Sequence, residues 1–72
     1  MQEYSRILIE DYCMEHGDTK KSKFLGKMVR LSYDVACEPT DSDAMQLEKY
    51  ISQEKDPELK EALEDLDEFL FG

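Results

Sequence analysis

A chain of 72 residues has room for one hydrophobic core and none for a second. With 40% apolar or aromatic residues, 38% charged residues, three Gly and two Pro, it suits a thin amphipathic helical bundle and excludes a fold of many short strands. The net charge of −9 is uneven: residues 1–37 balance six acids with six bases, and residues 38–72 set twelve acids against Lys49, Lys55 and Lys60. That distribution makes nucleic acid and anionic membrane poor partners for the second half and a basic protein surface a good one.

Breaks at His16-Gly17-Asp18, Glu38-Pro39-Thr40 and Lys55-Asp56-Pro57 divide the chain into four segments with helical apolar spacing. The first spans residues 2–16. Tyr4, Ile7, Leu8 and Tyr12 recur at helical intervals, and Gly17 is expected to end the helix in a left-handed conformation. Glu3, Arg6 and Glu10 form a polar strip at pairing distance. Ile9, Cys13 and Met14 widen the apolar arc, so this helix is expected to be central or shared with a second copy through Ile7, Ile9 and Cys13. The run Ile7-Leu8-Ile9 is also compatible with a short strand over residues 5–10.

The second segment, residues 19–37, opens on Asp18 or Thr19 as N-cap and stops before Pro39. Phe24, Leu25, Met28, Leu31, Val35 and Ala36 fall on one side and Lys20, Lys23, Lys27 and Arg30 on the other. Gly26 points away from the core and weakens the helix by ~1 kcal/mol relative to Ala. The third segment, residues 41–55, starts at Thr40 or Asp41, and its narrow stripe of Ala44, Leu47, Tyr50 and Ile51 predicts an outer helix. The fourth, residues 57–71, carries Asp56 as cap and Pro57 at the first helical position. Leu59, Ala62, Leu63, Leu66, Phe69 and Leu70 form its apolar face. The expected architecture is all-α: one domain, a small bundle of about four short amphipathic helices.

Catalytic and metal chemistry find no footing. His16, the one imidazole, sits at a helix end where the dipole favours a protonated ring. The chain lacks G-x-S-x-G and the phosphate-binding G-x-x-x-x-G-K-[ST], and Asp41-Ser42-Asp43 lacks the glycine and closing Glu of a calcium loop. A hairpin about Gly17 places Cys13 near residue 22 and Cys37 at the far end, which argues against a shared metal or a disulfide. No enzyme, cofactor or metal is expected. Two thiols without a basic start and long apolar leader read as reduced cysteines of a cytoplasmic protein, and the longest apolar run is far too short to cross a bilayer.

Two charged faces remain. Lys20, Lys23, Lys27 and Arg30 could follow phosphates, but they lack aromatic interleaving; they suit an electrostatic complement to acids of the third or fourth helix. Glu61, Glu64, Asp65 and Glu68 line one face of the fourth helix at i,i+3 and i,i+4 spacing with no base among them. Like charges there cost a few tenths of a kcal/mol per pair, and acids near a helix C-terminus oppose the dipole. Phe71 lies off the core stripe, where it either folds back or meets another protein. In composition the chain is similar to small acidic helical proteins of mobile elements such as phage, which include inhibitors that imitate DNA charge. The expected function is a non-enzymatic binding or inhibitory protein. Glu61, Glu64, Asp65 and Glu68 would form its charged patch and Phe71 an apolar anchor on a basic surface of a larger protein that handles nucleic acid. A self-associating structural or regulatory bundle, charged for solubility, is the alternative.

Overall fold

The computed structural model describes residues 1–34 and 38–72, which form four helices and no strand: α1 (Glu3–Glu15), α2 (Lys20–Leu31), α3 (Asp41–Gln53) and α4 (Pro57–Phe71). They pack into a globule with a radius of gyration of 11.0 Å. α1 packs on both α2 and α4, and α3 closes the other side of α4. Ile9 of α1, Leu25 and Met28 of α2, Leu47 of α3, and Leu63 and Leu66 of α4 are fully buried and form the centre of the core. α3 buries only Leu47, as its narrow stripe predicts. The run Ile7-Leu8-Ile9 lies inside α1 and is helical.

Local chemistry explains where the helices begin. The Thr19 hydroxyl accepts the Ser22 N–H, Thr40 and Asp43 form a reciprocal capping box, and Asp56 accepts the Glu58 N–H just ahead of Pro57 at the helix start. Each cap satisfies backbone donors that have no partner within the helix.

The helix ends depart from expectation. Gly17 does not adopt a left-handed conformation. α1 is closed instead by the His16 N–H on the Tyr12 carbonyl, and the Thr19 N–H on the His16 carbonyl completes the turn. α2 stops at Leu31, short of residue 37. The Ser32 hydroxyl turns back to the Val29 carbonyl, and the Ser32 N–H is shared between the carbonyls of Met28 and Val29. A serine that bonds its own backbone competes with helix continuation. Val35, Ala36 and Cys37, expected on this helix, lie outside the described residues. Phe69, expected in the apolar face of α4, is 53% exposed.

The α1–α2 hairpin turns about residues 16–19, and the Cys13 thiol donates to the Ser22 carbonyl at 3.3 Å, the register expected from the short turn. Lys27 of the basic stripe pairs with Asp43 at 3.6 Å, and Lys21, from outside the stripe, pairs with Glu54 at 2.6 Å. These two pairs and the Phe24–Tyr50 ring contact tie α2 to α3. Lys20, Lys23 and Arg30 are exposed.

Candidate functional site

α4 presents acids at positions 58, 61, 65 and 68, a spacing that keeps successive side chains on one face of a helix, and Glu64 extends that face at its edge. In the fold this face does not stand alone. The first two turns of α1 run beside it and leave an open groove of about 350 Å³ between the helices. Leu8 and Ala62 form the apolar floor, Gln2, Tyr4 and Ser5 the α1 wall, and Glu58, Glu61, Glu64, Asp65 and Glu68 the α4 wall. All four acids singled out from the sequence are therefore brought together in one groove, joined by Glu58 and Tyr4.

The acids fall into two groups. Asp65 and Glu58 are tied to α1. The Gln2 N–H donates to Asp65 Oδ2 at 2.9 Å, and the Tyr4 hydroxyl donates to Glu58 Oε2 at 2.8 Å. The bond from the Gln2 backbone, helped by the Ser5 hydroxyl and the amino-terminal charge, holds the Asp65 carboxyl below its ordinary range despite partial burial. Tyr4 shifts upward, first because its hydroxyl donates to Glu58 and then because of the charge of that carboxylate. The start of α1 thus supplies Asp65 with donors that no neighbour on α4 could give. The sequence spacing suggested that Asp65 was uncompensated; it is compensated across the helix interface.

Glu61, Glu64 and Glu68 are exposed and have no ion-pair or hydrogen-bond partner among the described residues. No base from the α2 stripe reaches them. Lys27 and Lys21 are committed to Asp43 and Glu54, and burial of that second pair is outweighed by its hydrogen bond, so Lys21 shifts up and Glu54 down.

Phe71 is partly buried and packs against the core, so its ring folds back beside the helix end rather than standing out from it. It lies four residues beyond Asp67, which is close enough to Glu48 of α3 to feel its charge, and so on the α3 side of α4. Phe71 does not line the acidic groove. The exposed ring at this end of the molecule is Phe69. Ile9 is likewise fully buried, so a helix shared between copies could not use it; Ile7 is 44% exposed and Cys13 is partly buried.

Sequence reasoning missed Tyr4 and Glu58. Glu58 was legible as part of the same face, two turns before Asp65; Tyr4 was not, because only the packing of α1 on α4 brings it there. Among the described residues no group of three His, Cys, Asp or Glu side chains is placed to hold a metal ion, and no helix is long and apolar enough to cross a membrane. No family model, curated protein or solved structure matches the chain.

Proposed function

We propose that the chain is a non-enzymatic binding or inhibitory protein that covers a basic surface of a larger protein with the acidic groove between α1 and α4. One observation carries this reading: Glu61, Glu64 and Glu68 converge on a single open groove without a compensating base among the described residues. The five groove carboxylates, from Glu58 to Glu68, span about 15 Å of helix at a mean spacing of ~4 Å, against about 3.4 Å per phosphate along one DNA strand. A surface shaped to hold a nucleic-acid strand would meet a similar charge density here. The mechanism is occlusion: the groove occupies basic side chains that a phosphate backbone would otherwise engage. Tyr4, 60% exposed at the rim, adds an aromatic face on which an Arg guanidinium can stack.

The test uses a synthetic Arg- and Lys-rich peptide as the basic surface. The variant Glu61→Gln, Glu64→Gln, Glu68→Gln is compared with Asp11→Asn, Glu15→Gln, Asp18→Asn, which removes the same charge from exposed sites outside the groove. The groove variant is expected to lose about tenfold or more in affinity, a difference of ~1.4 kcal/mol, and the control much less. Wild-type affinity should fall steeply with salt, because exposed charges are screened over ~8 Å at physiological ionic strength. Equal losses in the two variants would mean that the acids act only through net charge, and the groove reading would fail.

A further inference from the structure

We propose that a second copy of this chain seats on the groove between α1 and α2, about a two-fold axis, on the side of α1 opposite the acidic groove. The α1–α2 groove encloses about 400 Å³, with Cys13 and Val29 in its floor and Met14 and Tyr33 on its rim. Met14 is 83% exposed and Tyr33 is 57% exposed. Ile7, seven residues before Met14, lies on the same stripe of α1 and is 44% exposed. Apolar side chains are therefore gathered on one face rather than scattered singly.

Gly26 adds an independent sign. It lies inside α2, where glycine weakens the helix by ~1 kcal/mol, and its φ is not positive. A Cβ built there would meet nothing within 4 Å, so no contact among the described residues accounts for the missing side chain. On this face the absence leaves α2 open to a protruding side chain, and Met14 of a second copy is the protruding group at hand.

Charge selects a second copy as the occupant. Residues 1–37 are neutral as a set, whereas residues 38–72 carry the whole −9, so two copies can meet only where their acidic halves stay apart. The α1–α2 face meets that condition. It is also self-complementary: Glu10 on the α1 edge, half exposed beside its i,i+4 pairing with Arg6 at 3.3 Å, and Arg30 on the α2 edge border the same groove. A two-fold axis through its floor sets Glu10 of each copy against Arg30 of the other, the pattern of an isologous interface. A chain of this size buries only ~60% of its unfolded surface, and association is one of the few ways to bury more. The acidic groove remains open in the pair, so each dimer offers two.

Sedimentation equilibrium of the full chain, carried to ~1 mM protein, tests the proposal. The mass should rise with concentration toward twice that of the monomer. Met14→Glu, at an exposed position, should weaken association by about tenfold or more while leaving the helical circular dichroism unchanged, because it places an unpaired carboxylate in the interface. Glu10→Arg and Arg30→Glu should each weaken it, and the two together should restore it. A monomer mass across the whole range would overturn the proposal. So would a dimer whose affinity Met14→Glu leaves unaltered, or charge reversals whose combination restores nothing.

Discussion

Asp65 shares with Glu58 the structural task of tying α4 to α1; it accepts the Gln2 N–H and so fixes the start of α1. Removing it as Asp65→Ala should cost about 0.5–1 kcal/mol, measured by urea unfolding, whereas Glu61→Gln, Glu64→Gln and Glu68→Gln should be neutral or slightly stabilising. The Asp65 contribution also has a definite pH sign. Its folded-state value is depressed, so its stabilisation is present above the ordinary Asp range and is lost as pH falls through the depressed value. Asp67, two residues on, has the opposite sign. Burial, and then the charge of Glu48, push its carboxyl up, and its Oδ1 is buried without a hydrogen-bond partner among the described residues. Ionised Asp67 therefore destabilises the fold above its raised value, and that penalty vanishes as acid protonates it. Asp67→Asn should raise the urea midpoint at neutral pH and lose that advantage near pH ~3. Gly26 makes the third residue-scale prediction. With open space at its Cβ and ordinary helical backbone, Gly26→Ala should stabilise the monomer by about 0.5–1 kcal/mol in dilute solution.

At the scale of elements, the helix starts were legible and the helix ends were not. Thr19, Thr40 and Asp56-Pro57 act on donors within three residues, so the sequence alone contains both partners of each bond. Thr40→Ala removes one half of a capping box and should cost about 1 kcal/mol in thermal or urea unfolding. The end of α2 depends on a contest between Ser32 and the continuing ladder, which an apolar period running on to Val35 and Ala36 obscures. Gly17 misled for a related reason: a glycine after a helix permits the left-handed stop without requiring it, and the chain used the turn through His16 and Thr19 instead. The site divides in the same way. Its carboxylates share one helix face and could be read from spacing. The α1 wall could not, because Gln2, Tyr4 and Ser5 reach Asp65 and Glu58 only across a tertiary contact between residues more than fifty positions apart. Phe69 and Phe71 exchange their expected places because burial in the last turn of α4 is decided by which neighbouring helix lies alongside, not by angle from the core stripe alone.

At the scale of the molecule, the charge imbalance acquires a geometry. The neutral half builds α1 and α2, and α2 commits Lys21 and Lys27 to acids at the two ends of α3. The excess acid that remains gathers along α4, where α1 turns an exposed face into a groove with an apolar floor. The two faces of α1 thereby border different grooves, an acidic one shared with α4 and a more apolar one shared with α2. The most direct test of the acidic groove is residue-resolved: an amide NMR titration of the full chain with the Arg- and Lys-rich peptide at physiological salt. The perturbed amides should concentrate in residues 2–8 and 58–68, and the perturbation should be lost in the variant with Gln at positions 61, 64 and 68. Shifts spread evenly over the exposed acids of α3 and the C-terminal end of α1, or unaltered in that variant, would contradict a binding groove between α1 and α4.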